Sequence, residues 1–166
     1  MKPVKRAGNA GFTLVELLIV VIILAVLASV AVPQFSSSTD DAKEAALDST
    51  LAELRTAIEL YYHQHGEYPG ANSDGSNGPN SQGAFVSQLT RYTDDDGLAF
   101  DTKSDDNKYG PYLKKLSMPA NPIDGKSVVT INTSGALNAT GDGSGGWWFD
   151  TVSGKLMPNV ETFYDR

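Results

Sequence analysis

The chain has 166 residues, of which 13 are Lys or Arg and 20 are Asp or Glu, for a net charge of −7. Without Lys2, Lys5 and Arg6, which precede Phe12, 10 bases remain against 20 acids, a net charge of −10. So acidic a chain disfavours nucleic acid as a partner, because that affinity depends on neutralising phosphates. The length suits one domain plus an anchor, and the absence of cysteine excludes disulfides, thiolate metal sites and cysteine nucleophiles.

The N-terminal region joins a basic leader to an apolar run. From Leu17 to Val32 only Ser29 is polar. A helix over residues 12–33 would rise about 30 Å, the thickness of a bilayer hydrocarbon core. We therefore predict one membrane-spanning helix, with its basic N-terminus held on the cytoplasmic side. Glu16 lies inside this run, where an unpaired charge is costly.

An ordinary cleaved signal peptide is the alternative for this region. The small residues around Ser29-Val30-Ala31 are of the kind that signal peptidase accepts. A typical signal core, however, is about 7–15 residues long and uncharged. The apolar run here is longer and contains Glu16, so the signal peptide explains it less well.

The next segment, residues 34–69, predicts the amphipathic half of a long helix. Pro33 and the polar residues 34–39 allow a bend or local unwinding, because proline cannot donate to the carbonyl four residues back. Beyond them, apolar residues recur at helical spacing, and they are Leu47, Leu51, Leu54, Ile58 and Tyr61 or Tyr62. The stripe covers about two heptads, fewer than a coiled coil needs, so we expect it to dock on the chain's own domain.

Residues 70–166 predict a small α+β domain. An irregular loop over 70–83 precedes a short helix over 85–92. Strands are expected at 127–132 and 146–151, the second continuing through a turn into 155–157. Phe149, with Trp147 or Trp148, should pack on the helix stripe. The predicted fold is one long helix against a small antiparallel sheet of three or four strands.

The motif Gly11-Phe12-Thr13-Leu14-Val15-Glu16 resembles the class III signal of type IV pilins and type II secretion pseudopilins. Pro33 also matches, since many members of the family place a proline at this distance from the first mature residue. Gly66-Glu67-Tyr68-Pro69 resembles the motif that closes the family's long helix. The segment 109–116 resembles one in the major pseudopilin, the branch to which the chain is most similar.

The resemblance implies processing and assembly at named residues. A prepilin peptidase would cut between Gly11 and Phe12, remove the leader over 1–11 and methylate the amine of Phe12. Glu16 would pair with that amine on a neighbouring subunit, because a paired buried charge is tolerated and can set register. Pro33 is the third expected assembly position.

The implied function is structural, and we expect no catalysis. The first hypothesis is the major pseudopilin of type II secretion, a homo-oligomeric helical filament built with an inner-membrane assembly platform and minor pseudopilins. Its single-pass subunit would stand in the bacterial inner membrane with the C-terminal domain in the periplasm. A type IV pilin for adhesion, motility or DNA uptake is the alternative, because residues 121–125 replace the pseudopilin's usual Asp-Pro-Trp-Gly. A membrane-tethered or secreted binding domain is the alternative of another class.

Calcium is the one cofactor that the sequence suggests. Carboxylates of Asp94, Asp95, Asp96 and Asp142 are oxygen ligands of the type that calcium prefers, although solvated acidic turns are the favoured explanation. His63 and His65 are two residues apart and would point from different faces of a helix, so we expect surface positions rather than a metal site.

Overall fold

The structure, a computed structural model, describes residues 12–136 and 140–166. The side chains of residues 30–38 are not described. The chain divides into two compact units, with the boundary between Ala42 and Lys43. The elements in chain order are α1 (Leu14–His65), α2 (Gln82–Thr90), β1 (Tyr92–Thr93), β2 (Ala99–Phe100), β3 (Val129–Asn132), β4 (Trp147–Asp150), β5 (Leu156–Pro158) and a 3-10 helix (Glu161–Phe163).

Helix α1 extends through the positions at which the sequence allows unwinding. Residues 33–39 lie within its bounds, so no break in the helix occurs there. Proline removes one hydrogen bond from a helix interior, and α1 continues through Pro33 despite that loss.

The predicted apolar stripe is confirmed as the core of the second unit. Its members are fully or almost fully buried, and they are Leu47, Leu51, Leu54, Ile58 and Tyr61. Tyr62 is exposed, so Tyr61 is the residue that completes the stripe. Trp147 and Phe149 of β4 belong to the same hydrophobic cluster, as the sequence predicts.

Helix α2 begins three residues earlier than the sequence predicts. Ser81 caps it, since its side-chain oxygen accepts a hydrogen bond from the Ala84 N–H at 3.2 Å. Such a cap satisfies a backbone donor that has no partner within the helix. Phe85 and Leu89 are fully buried and join α2 to the core cluster.

The strands confirm an α+β fold but differ in one pairing. β4 pairs with β5 in antiparallel orientation, whereas β3 pairs with β4 in parallel, so the three-stranded sheet is mixed. A parallel neighbour needs a long connection, and residues 133–146 supply it. β1 and β2 form a separate antiparallel pair, which the sequence patterns do not predict.

Two arginines connect α1 to β5 and to the segment that follows it, through hydrogen bonds and ion pairs. The Arg55 guanidinium donates to the carbonyl oxygens of Leu156 at 2.9 Å and Arg166 at 2.6 Å. Arg166 in turn pairs with Glu44 at 2.6 Å and Asp48 at 2.8 Å, both on α1. The segment after β5 is thereby held along the helix.

Candidate assembly site at the start of helix 1

The first part of α1 presents apolar side chains in every direction. From Leu14 to Leu27 the large hydrophobic side chains are all at least half exposed. A helix that is apolar all round is normally buried in protein or lipid, because no face of it favours water. Residues 12–29 therefore form a surface that requires a cover.

Thr13 and Glu16 form a reciprocal cap at the beginning of this helix. Glu16 Oε2 accepts from the Thr13 backbone N–H at 2.9 Å and from the Thr13 hydroxyl at 2.7 Å. The Glu16 N–H donates back to Thr13 Oγ1 at 3.2 Å. This is a capping box, in which a Thr at the N-cap and a Glu three residues later satisfy each other's backbone groups.

The capping box gives Glu16 a local partner that the sequence-based prediction misses. The spacing Thr-x-x-Glu before an apolar run is a readable sign of it. A carboxylate has about four acceptor positions, so these hydrogen bonds leave Glu16 able to accept from a further donor. Phe12 precedes the cap directly, which places any amine formed there at the same end of the helix.

The structure gives no contacts for two of the positions at which the sequence predicts processing or assembly. Gly11 and the side chain of Pro33 are outside the described residues. Over the residues that the structure describes, no helix is both long enough and apolar enough to span a membrane.

Two carboxylates of the predicted calcium turn, those of Asp94 and Asp95, already have partners within the chain. Asp94 Oδ1 accepts backbone N–H groups of Asp96 at 3.1 Å and Leu98 at 2.9 Å. Asp95 pairs with Lys108 at 3.0 Å and accepts from the Tyr109 hydroxyl at 2.9 Å. These hydrogen bonds, that of Lys108 first, hold the pKa of Asp95 below its usual value.

Asp142 lies in a different turn and has its own partners. It accepts from the Ser144 N–H at 3.0 Å and from Asn159 Nδ2 at 2.6 Å, and the hydrogen bonds from Ser144 and Asn159 lower its pKa. Within residues 12–136 and 140–166, no three His, Asp or Glu side chains are grouped as a metal ion would require. Calcium binding therefore stays a prediction.

The two histidines differ in environment. His63 is exposed, as expected, whereas His65 is half-buried and only part of its ring lies at the surface. Its Nε2 lies 3.0 Å from both Thr93 Oγ1 and the Tyr112 hydroxyl, and its ring packs on Tyr61 at 4.2 Å. Burial lowers the pKa of His65.

Comparison with known families places residues 6–32 in the prokaryotic N-terminal methylation motif. The type IV narrow pilus major component of Thermus thermophilus is 49% identical over 50 residues, 30% of this chain and 43% of that protein. The N-terminal part of the chain is thus similar to that of a type IV pilus component.

Two further relatives of this segment are named as a secretion system protein and as a fimbrial protein. The type II secretion system core protein G of Pseudomonas aeruginosa is 35% identical over 65 residues, 39% of this chain and 46% of that protein. The fimbrial protein of Neisseria meningitidis serogroup B is 40% identical over 63 residues, 38% of this chain and 37% of that protein. The chain thus matches less than half the length of these relatives, and no solved structure matches it.

Proposed function

We propose that this protein is a structural subunit of a helical filament and that residues 12–33 are its assembly helix. One observation carries the proposal. The part of α1 that lies within the methylation motif is apolar on every side and has a single carboxylate, Glu16, at its start. Such a helix requires cover, and identical helices stacked together provide it.

The proposed assembly begins with cleavage between Gly11 and Phe12 by a prepilin peptidase, followed by methylation of the new amine. An α-amine has a pKa of about 7.7–8.0, so Phe12 would be mostly cationic at neutral pH. The Phe12 amine of one subunit then pairs with Glu16 of its neighbour and sets the register of the two helices. The capping box holds that carboxylate at the helix start, beside Phe12.

Close approach of neighbouring helices is supported by a pair of small residues, Ala25 and Ser29, one turn apart. Small residues at this spacing let helix backbones approach each other. The Ser29 hydroxyl donates to the Val26 carbonyl at 2.7 Å, so it is satisfied within its own helix. It therefore does not oppose apolar packing.

Within this class we infer that the protein is the major pseudopilin of a type II secretion system. The similarity of residues 109–116 to the major pseudopilin and the match to core protein G support this inference. The subunit would span the inner membrane once, with residues 43–166 in the periplasm, and would assemble with a platform and minor pseudopilins. A type IV pilin is the second candidate, because the Thermus and Neisseria relatives are a pilus component and a fimbrial protein by name.

Two variants separate the pairing role of Glu16 from its capping role. Glu16→Gln keeps the capping box, since Gln serves as well as Glu at this position, but it removes the charge. Thr13→Val removes the hydroxyl of the box and keeps the charge. We expect Glu16→Gln to reduce filaments at least tenfold and Thr13→Val to leave most of them, as measured by sedimentation of sheared filaments and electron microscopy.

Membrane fractionation and the mass of the N-terminal peptide accompany both variants. They establish that each variant inserts and is cut before its filaments are counted. Normal filaments from Glu16→Gln would overturn the pairing role. Loss of filaments only in Thr13→Val would assign Glu16 to helix capping.

A further inference from the structure

A basic loop stands out on the second unit of this otherwise acidic chain. Residues 114–117, here called the basic loop, contain Lys114 and Lys115, the only adjacent bases after the leader. Neither lysine forms an ion pair with a described residue. Leu116 beside them is 78% exposed, more than any other large hydrophobic side chain that the structure describes in the second unit.

The basic loop is held in place at both ends. Leu113 on one side is 5% exposed and Met118 on the other is 4% exposed, and both belong to the core cluster. The Leu113 N–H also donates to the Leu89 carbonyl of α2 at 2.9 Å. A fixed loop loses little conformational entropy when it binds, which favours its use in recognition.

A shallow groove of about 190 Å³ lies along the basic loop. It is lined by Glu53, Leu113, Lys114, Lys115, Ser117 and Pro119. Its surface is mainly apolar, and its charged lining residues are two lysines and one glutamate, so one positive charge is in excess. A partner that fits it needs an apolar centre with negative charges on the side that faces the two lysines.

The same chain carries a surface of that description. Residues 94–106, here called the acidic loop, include β2 and place Phe100 on the surface, 37% exposed. Six carboxylates accompany Phe100, and they are Asp94, Asp95, Asp96, Asp101, Asp105 and Asp106. Two of them form ion pairs within the chain, Asp95 with Lys108 and Asp101 with Arg91. Lys103 is the only base within residues 94–106, so the acidic loop has a strongly negative net charge.

The acidic loop is also fixed by its backbone. Phe100 pairs with Tyr92 of β1. The Ala99 N–H donates to the Asp74 carbonyl at 3.0 Å. The apolar centre and its carboxylates are therefore presented as a formed surface.

We propose that the acidic loop of one subunit docks on the basic loop and groove of the next, with Phe100 covering the apolar groove beside Leu116. The proposal rests on the filament function above and adds a contact between globular units. Apolar surface would meet apolar surface, and opposite charges would surround it. Two different surfaces of one chain make a head-to-tail contact, and such a contact builds an open helical polymer when it does not close into a ring.

Anionic lipid headgroups are the other chemistry that two lysines and an exposed leucine attract. A second copy is favoured because its acidic loop matches both the charge and the apolar centre of the groove. Lipid is one outcome of the test below.

Cross-linking in the full chain tests the contact, because the protein has no cysteine of its own. Phe100→Cys and Leu116→Cys are placed in separate, differently tagged copies and expressed together. A short bismaleimide should join the two tags in membranes and in sheared filaments, and a chain with both cysteines should give a ladder of multimers. Val152→Cys replaces Leu116→Cys as the control, because Val152 is 62% exposed on a different turn.

Charge exchange tests the specificity of the same contact. Lys114→Glu with Lys115→Glu should lower the yield of the 100–116 product about tenfold or more, because like charges then face each other. Asp105→Lys with Asp106→Lys in the other copy should restore it. A purely structural effect of the lysine substitutions would not be rescued by a change on another subunit.

Each outcome decides the proposal. Filaments with correctly processed Phe12 but without the 100–116 product would overturn this contact and leave the proposed function standing. Only 116–116 products would also overturn it, since they indicate a symmetric contact. If anionic lipid shields the thiol of the Leu116→Cys variant from a water-soluble maleimide and no cross-link forms, the proposal is overturned in favour of lipid. Loss of both filaments and Phe12 processing would show that the filament function itself has failed.

Discussion

Helix α1 contains two groups of leucines with opposite surroundings. Leu17 and Leu24 are 59% and 58% exposed, whereas Leu47 and Leu54 are fully buried. The residue type and the secondary structure are the same in both groups. The difference is that α2 and the mixed sheet cover the second group, while no described part of the chain covers the first.

This comparison separates two uses of apolar surface. Burying a leucine completely is worth about 1.5–3 kcal/mol relative to leaving it exposed. At Leu54 that free energy already stabilises the fold of the second unit. At Leu24 it remains available for association or for insertion into lipid. Substitutions in the two groups should therefore change different properties of the protein.

The largest effect on folding should come from Leu54→Ala, which leaves a cavity in the core. We expect the free energy of unfolding of the second unit to fall by about 2–5 kcal/mol. Urea denaturation of the full chain in detergent measures it, followed by fluorescence of the two tryptophans, Trp147 and Trp148, which both lie in β4.

Leu24→Ala is the matched control in the same helix. Since Leu24 is exposed and lies in the first unit, its substitution should change that unfolding free energy by less than about 0.5 kcal/mol. It should instead weaken filament assembly. Equal destabilisation by the two variants would break the comparison.

A second effect on folding should come from Gly146→Ala, at the residue that directly precedes β4. Gly146 has a φ of +73°, and an added Cβ would lie 2.3 Å from the Val128 carbonyl oxygen. Gly125 has the same φ of +73° with no atom within 4 Å, so Gly125→Ala costs only the backbone strain, about 1–2 kcal/mol. Gly146→Ala should cost clearly more in the same urea experiment. Equal costs would show that the backbone at Val128 moves aside without a loss of stability.

The smallest effect should come from acid, through His65. Burial lowers the pKa of His65 from its usual 6.5, so the folded unit favours the neutral ring. Its contribution to stability is complete above about pH 6.5 and declines as the pH falls below that value. Charges of Asp94 and Asp95 favour the protonated ring and limit the decline.

His65→Gln should flatten the stability curve of the second unit between pH 7 and 5, as measured by urea midpoints across this range. Asp95 and Asp142 act in another window, because their pKa values are lowered from 3.8 and their contribution is lost only below that pH. An unchanged slope in His65→Gln would show that His65 titrates as it does in the unfolded chain.

The sequence predicts those parts of the fold that depend on local periodicity. The stripe from Leu47 to Tyr61 has helical spacing, and the runs around Val129 and Phe149 have the aromatic and β-branched composition of strands. β1 and β2 have two residues each, too few for any period to be visible. The parallel pairing of β3 with β4 depends on the path of the chain between them, which residue composition does not encode.

The candidate assembly site is predicted from a sequence motif rather than from periodicity. Phe12 and Glu16 come from a motif, and the capping box is visible there only as the spacing of three residues from Thr13 to Glu16. The acidic turns at Asp94 and Asp142 resemble ligand sets, but their oxygens accept hydrogen bonds from backbone and side chains of the same chain. Composition alone does not distinguish those two arrangements.

The N-terminus of the mature protein tests the central claim most directly. Mass spectrometry of the N-terminal peptide from a membrane fraction should find a chain that begins at Phe12 and carries one methyl group on its amine. A chain that begins near Val32 would contradict the filament function and indicate a domain released by signal peptidase.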